Sequence, residues 1–302
     1  MNQKSNNTSL FKFYRDVCLW PLSDEFNYDE WLSNFHTNDE RDIAIKLLDY
    51  FVFIPDRHIN QMLATVIGKC GYFFQDHRGE WSIEQFKTDC WYSFIPGEKQ
   101  SPTDSGYLFN RKLRDNLFIP EDRILNNNAL HKKMETTKQQ NFILVDDFVG
   151  SGHQTCSAWS SAVEGKTLSQ RAMENGHCVI YAPLIVNSLG KDEIEQKCEG
   201  LGLTYIYALG PERNIFSKQC PCWLGDEDLW KKATNLICRK SMELGIPFSG
   251  GMKVTDVRGY KEQGLAIAFE HGMPDACPPI FYWETDSWKP LVHKVYTRPN
   301  SI

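Results

Sequence analysis

The stretch NFILVDDFVGSGHQT, Asn141 to Thr155, decides how the rest of the chain is read. Phe142 to Val145 are four consecutive apolar residues, the pattern of a short strand buried on both faces. Asp146 and Asp147 follow directly, where a buried strand has no use for charge. Gly150, Ser151 and Gly152 then form a small flexible loop, and TCSAWSSAV from Thr155 reads as the start of a helix. A strand ending in paired acids, then a tight donor-rich loop and a helix, is expected to hold a ligand at the end of a parallel sheet.

The neighbouring segments repeat that alternation. CWYSFI (90–95) is a predicted strand, PGEKQSPTDSG (96–106) a loop of turn formers, and YLFNRKLRDNL (107–117) an amphipathic helix. HCVIYAPLIV (177–186) is the next strand, KDEIEQKCEGLG (191–202) a helix stopped by Gly200 and Gly202, and LTYIYAL (203–209) another strand. Strand, helix and strand in succession predict an α/β fold with a parallel sheet and helices on both faces. Such sheets bind ligands outside the carboxyl ends of their strands, where Asp146 and Asp147 fall.

Outside this core the reading is coarser. Residues 28 to 70 are predicted helical: Trp31, Leu32 and Phe35 share one face, as do Ile43, Leu47, Leu48 and Phe51. Pro55 interrupts them, and Asp56 is placed to cap a further helix. The expected organisation is an N-terminal helical subdomain over 1–88 and an α/β domain over 89–302. Near the C-terminus, DEDLWKKATNLICRKSMEL (226–244) predicts a helix and GLAIAFEHGMPDACPPIFYW (264–283) strand, loop and strand.

Composition bounds the function. The 302 residues are 41% hydrophobic and 24% charged, enough apolar content for a packed core, and the formal net charge is -6, without the overall basic footprint of a nucleic-acid binder. No apolar run approaches the roughly 20 residues of a membrane helix. The opening MNQKSNNTSLFKFYRD lacks the apolar region of a signal peptide, so the ten cysteines are expected as reduced thiols in a cytoplasm. Cys220 and Cys222 form CPCW, but a structural zinc site needs a second pair at recognisable spacing, and no metal ligands are predicted directly. No G-x-x-x-x-G-K-[ST] run marks a P-loop.

The acid pair and loop suit a phosphorylated sugar. Carboxylates accept strongly from the two adjacent hydroxyls of a ribose. Backbone N–H groups of a tight loop at a helix N-terminus suit its 5-phosphate, with the helix dipole contributing. Gly150 and Gly152 permit close approach, and Ser151 and Thr155 supply hydroxyl donors.

With those residues in view, ILVDDFVGSGHQT resembles the phosphoribosyl pyrophosphate (PRPP) motif of the type I phosphoribosyltransferases. FIPGEKQSPTDSGYLFNRKLR, VDDFVGSGHQ and GLAIAFEHGMPDACPPIFYW, in that order, look more closely like the phosphoribosyltransferase-like effectors of bacterial conflict systems, anti-phage and retron-associated loci. The resemblance implies a parallel-sheet core with a C-terminal hood. It assigns catalytic roles to Asp146 and Asp147, and PRPP or phosphate binding to Val149, Gly150, Ser151, Gly152, His153, Gln154 and Thr155. Gln154 departs from the Thr or Ser common in the family, and His153 adds bulk. By analogy with the family's pyrophosphate loop, Lys99, Ser105, Gly106 and Arg111 are candidates for the second phosphate group, and Mg²⁺ is the implied cofactor.

The family's mobile lid would correspond to NNNALHKKMETTKQQ (126–140), with Lys132 and Lys133 to neutralise the leaving group, and Tyr260, Phe281, Tyr282 and Trp283 would form part of a hood that stacks over a base. The implied activity is transfer at the anomeric carbon of ribose, with a PRPP or nucleotide ligand. A retron reverse transcriptase, its noncoding RNA or another defence-operon product is the implied partner. Two alternatives stay open: glycosidic-bond hydrolysis of a nucleotide or dinucleotide, and a non-catalytic nucleotide-sensing module on the same fold.

Overall fold

The computed structural model describes residues 10–17, 19–20, 26–78, 83–97 and 105–293. The chain forms two compact units, one of residues 1–56 with 210–302 and the other of residues 57–209. In chain order the first unit opens with helices α1 (Leu10–Asp16), α2 (Tyr28–Ser33) and α3 (Asn38–Tyr50) and strand β1 (Val52–Ile54). Helix α4 (Asp56–Arg78) leads into the second unit, followed by α5 (Ile83–Asp89), β2 (Trp91–Phe94), α6 (Ser105–Leu117) and α7 (Asn127–Thr136). Strand β3 (Asn141–Val149), α8 (His153–Ser160), α9 (Leu168–Asn175), β4 (Cys178–Asn187), α10 (Ser188–Lys197), β5 (Leu201–Leu203) and β6 (Tyr207–Leu209) complete it. The chain returns to the first unit with α11 (Glu227–Glu243) and β7 (Ile267–Phe269).

The second unit holds the predicted parallel sheet, in the order β2-β3-β4, with β5 and β6 following each other along the far edge of β4. β3 and β4 are buried along nearly their whole length, as their unbroken apolar runs require. Phe142, Leu144, Val179 and Tyr181 share a face with Leu130 and Met134 of α7, Trp159 of α8, Ala172 of α9 and Ile194 of α10. The other face meets α6, whose Gly106 packs on the Phe94 ring; a Cβ there would lie 2.0 Å from that ring. LTYIYAL is not one strand but the end of β5 and all of β6, and between them Thr204 N–H and Ile206 N–H donate to Tyr181 and Leu184 carbonyls.

The first unit explains why a boundary near residue 88 does not appear as a division between units. Helices α2 and α3 bury Trp31 and Phe51 against Phe281, with ring centroids 5.7 and 5.1 Å apart, and Trp31 Nε1–H donates to Ile280 carbonyl at 2.9 Å. β1 pairs in parallel with β7, Val52 opposite Ile267. N- and C-terminal segments thus share one core, and 57–88 goes with the sheet. Pro279–Phe281 is a 3₁₀ turn rather than a second strand, and Phe281 and Tyr282 are core residues, not a stacking surface. Glu270 closes the start of α4, its carboxylate accepting Asp56 N–H at 2.6 Å, and His271 stacks on Phe269. Cys220 and Cys222 are buried free thiols, and Cys222 donates to Lys46 carbonyl at 3.5 Å.

Candidate active site

The carboxyl end of the sheet is where the chain concentrates unusual local structure. β3 runs past the acids to Val149, so Asp146 and Asp147 are strand residues rather than the strand's end. Alternation along a strand sends their side chains to opposite faces. Asp146 takes the face of Phe142 and Leu144 and is 8% exposed, whereas Asp147 is half-buried.

Asp146 is held on both oxygens. Tyr181 of β4 donates its phenol to Oδ2 at 2.7 Å, and Asp147 N–H donates to Oδ1 at 3.0 Å. Asp147 Oδ1 in turn accepts Phe148 N–H at 2.7 Å. Burial, reinforced by the neighbouring Asp147 charge, raises the Asp146 pKa well above the ordinary aspartate value of 3.8, against the pull of the Tyr181 hydrogen bond. Burial and the adjacent Asp146 likewise raise the Tyr181 phenol well above 10.0.

The loop beyond β3 is seated on α10. Gly152 is the N-cap of α8 with φ 75° and ψ -7°, left-handed backbone that favours glycine. A Cβ there would lie 2.7 Å from Gly190 carbonyl O. Reciprocally, a Cβ on Gly190 would lie 2.4 Å from Gly150 carbonyl O and 2.7 Å from Val149 Cγ1. The predicted small-residue loop therefore has a partner that sequence reasoning missed, a glycine in the first turn of α10. That helix begins at the carboxyl end of β4, where Asn187 accepts Leu189 N–H at 2.9 Å.

A glycine N-cap also leaves α8 without a side-chain cap. Asn27, Thr37, Asn126, Thr167, Asn187 and Asp226 cap α2, α3, α7, α9, α10 and α11 through their side chains. The first-turn N–H groups of a helix have no intrahelical acceptor. At α8 those donors and the positive end of the helix dipole face the loop between Asp147 and His153.

The other candidates are distributed as follows. Val149 is buried, while Gly150 and Ser151 are half-buried, and Ser151 Oγ accepts His153 N–H at 3.4 Å. His153 is exposed, its Nε2 3.8 Å from Glu193 of α10. Gln154 donates its amide to Pro96 and Ile95 carbonyls at 3.2 and 3.4 Å, tying α8 to the segment that follows β2. Thr155 is 2% exposed, so it faces the core rather than the loop.

Ser105 and Gly106 open α6, and Gly106 is buried against Phe94. Arg111 is exposed farther along α6, where the Arg114 hydrogen bond chiefly holds the Asp115 carboxyl low and the Arg111 charge adds to it. Lys99 lies outside the described residues.

The segment compared with a mobile lid is helix α7, with Leu130, His131 and Met134 buried. Lys133 lies over the Trp91 ring, 4.0 Å from its centroid. Trp91 begins β2, so Lys133 is at the amino end of the sheet, opposite the acids. Among the described residues, no three His, Cys, Asp or Glu side chains are grouped to enclose a metal ion. No helix among them is long and apolar enough to cross a membrane.

A family model described as PRTase-CE matches residues 28–294. No curated protein matches the chain.

Proposed function

The chain belongs to the PRTase-CE family, a phosphoribosyltransferase-like family, and on that premise we propose that it binds PRPP or a related ribose 5-phosphate at the carboxyl end of its sheet and acts at the anomeric carbon. One observation carries the reading. Within a few residues, a carboxylate pair on a buried parallel strand leads to a helix N-terminus whose N-cap is left-handed Gly152, which has no side chain to cap it. The acids accept the ribose hydroxyls, and the uncapped N–H groups of α8, with the Ser151 hydroxyl, receive the 5-phosphate. Gln154 holds Ile95 and Pro96 just after β2, and Ser105 and Lys99 would serve the pyrophosphate.

Charge develops on the departing pyrophosphate as the anomeric bond breaks, and preorganised donors aimed at it lower that barrier. Asp147 stands on the other side of the reaction, its charge favouring an oxocarbenium-like sugar. Mg²⁺ commonly binds through one or two carboxylates plus ligand phosphates rather than in an all-protein cage, which suits half-buried Asp147. Asp147 would hold the ion, and when bound it supplies neutralising charge to the phosphates.

The three sequence blocks resembling conflict-system effectors support a role in anti-phage defence, with a defence-operon product as partner. Calorimetry with PRPP and Mg²⁺ tests the chemical reading. Asp146→Asn with Asp147→Asn is expected to abolish binding in a protein that remains folded, and unchanged affinity would refute the ribose assignment. In cells, a double variant that protects against phage as well as the parent would refute the effector role of this site.

A further inference from the structure

Helices α8 and α10 bring two free thiols together one turn beyond the glycine contact. Cys156 of α8 and Cys198, the C-cap of α10, have their sulfurs 3.3 Å apart. Cys198 Sγ–H donates to Cys156 Sγ, and Cys156 Sγ–H donates to Glu193 carbonyl at 3.7 Å. The helix pair is tied again farther on, where Trp159 Nε1–H donates to Glu199 carbonyl at 3.1 Å. The two sulfurs differ in access: Cys198 is 3% exposed, whereas Cys156 is only half-buried. Cys156 also belongs to the turn that starts at the loop, its N–H donating to Gly152 carbonyl at 2.9 Å.

We propose that Cys156 and Cys198 are a redox-active dithiol, which hydrogen peroxide converts to a disulfide that locks α8 onto α10 behind the loop Gly150–Gly152. Bonded sulfurs stand roughly 2.05 Å apart, so the pair closes by about 1.3 Å, a distance on the scale of side-chain rotation. The more accessible Cys156 meets the oxidant. Its thiolate sulfur attacks one peroxide oxygen, the O–O bond breaks, and the hydroxide released leaves as water with the proton Cys156 gave up; Cys156 is now a sulfenic acid. The Cys198 sulfur then attacks the Cys156 sulfur, the S–O bond breaks, and the departing hydroxide takes the Cys198 proton as a second water. Two thiols are oxidised by two electrons and one peroxide is reduced to two waters. Burial and the neighbouring Cys156 push the Cys198 thiol up, which keeps its proton in place until that second step. In a reducing compartment such a pair is a sensor rather than a permanent brace.

The proposal concerns the chain's own thiols and stands whether or not the site binds a ribose phosphate. Its test begins with the full-length parent, reduced and then treated with hydrogen peroxide. Peptide mapping without reduction identifies which cysteines are joined, and a dithiol reductant tests reversal. Cys198→Ser removes the second thiol and leaves Cys156 in place, so a 1,3-diketone that captures sulfenic acids reports the intermediate. Thermal unfolding and amide hydrogen exchange of α8, compared between reduced and oxidised parent, report the lock.

The expected result is a Cys156–Cys198 cross-link in the oxidised parent that the reductant removes, and diketone capture at Cys156 in Cys198→Ser. The oxidised parent should melt roughly 5–10 °C higher than the reduced one, because the bond restricts the unfolded chain, and α8 amides should exchange several-fold more slowly. Cys156→Ser should show neither change on oxidation. A parent that accumulates oxidised Cys156 without the cross-link, or that joins other cysteines in preference, would overturn the proposal, and this reading needs no variant to fold. A cross-link that leaves both the melting temperature and α8 exchange unchanged would overturn the lock.

Discussion

Replacing Gly190 by alanine adds one methyl group to the first turn of α10, and helix propensity alone says the change should stabilise. Alanine is favoured over glycine in a helix by roughly 0.5–1 kcal/mol. At Gly190 the methyl carbon would lie 2.4 Å from Gly150 carbonyl O, 2.7 Å from Val149 Cγ1 and 2.9 Å from Gly152 N. Two of those three atoms are backbone and cannot swing aside as a side-chain tip would. Forcing an extra methyl into a packed site costs about 1–3 kcal/mol. The net expectation is a loss of about 1–2 kcal/mol, a fall in melting temperature of roughly 2–8 °C for a domain of this size.

Gly68 supplies the comparison. It lies within α4, and a Cβ there would meet nothing within 4 Å, so Gly68→Ala should gain about 0.5–1 kcal/mol. Urea unfolding of both variants reads the difference as midpoints displaced in opposite directions at equal slope. The Gly190 variant should also lose affinity for phosphorylated ligands, because relief of the clash displaces Gly150–Gly152. A Gly190→Ala protein as stable as Gly68→Ala would refute the seating of the loop on α10.

Gly152→Val should lose phosphate-ligand binding more steeply than Ser151→Ala, because it combines left-handed strain of about 1–2 kcal/mol with the contact on Gly190 carbonyl. Ser151→Ala should weaken phosphorylated ligands by about 1–3 kcal/mol and leave an unphosphorylated nucleoside nearly unaffected, so equal losses for the two ligands in calorimetry would exclude a phosphate role for the loop. In metal-free buffer, the raised Asp146 pKa means the folded protein holds a proton that the unfolded chain releases above about pH 3.8. Its contribution is full below that pH and is lost as pH rises through the folded value, so Asp146→Asn should gain on the parent in unfolding experiments as pH climbs from acid towards neutral.

Glu40 behaves oppositely. Although burial pushes its pKa up, the Arg239 hydrogen bond and His36 N–H outweigh that and bring it from 4.5 to about 2. Its stabilisation is present above pH 4.5 and lost as pH falls towards 2, so Glu40→Gln should flatten the acid limb of the parent's stability profile.

Much of the sheet unit is legible in the chain because periodicity there is unambiguous. Four- to ten-residue apolar runs become β2, β3 and β4, and the helices between them carry clean apolar stripes or capping residues such as Thr167 with Gln170. The acid pair and glycine loop are legible for a different reason: charge and glycine at a buried strand have few structural uses, so their presence points to a ligand. Reading failed where a residue's role depends on distant chain. Phe281 and Tyr282 look like a base-stacking surface until Trp31 and Phe51, 250 and 230 residues earlier, close over Phe281. Nothing near Glu270 in the chain signals that its carboxylate accepts Asp56 N–H. Lys133 seems near the leaving group until strand direction puts Trp91 and its cation at the opposite end of the sheet.

The sequence by itself determined the strand-acid-loop-helix unit of Asn141 to Ser160, because every force shaping it acts between residues close along the chain: apolar burial of one run, glycine conformational freedom and a helix start. Only the tertiary structure decided what the members of that unit do. It buried Thr155, gave Asp146 a donor from the neighbouring strand, and set Gly152 against Gly190. Those assignments follow from parallel pairing, which needs a long crossover and so brings Leu144 beside Tyr181 with no local signal that the two belong together.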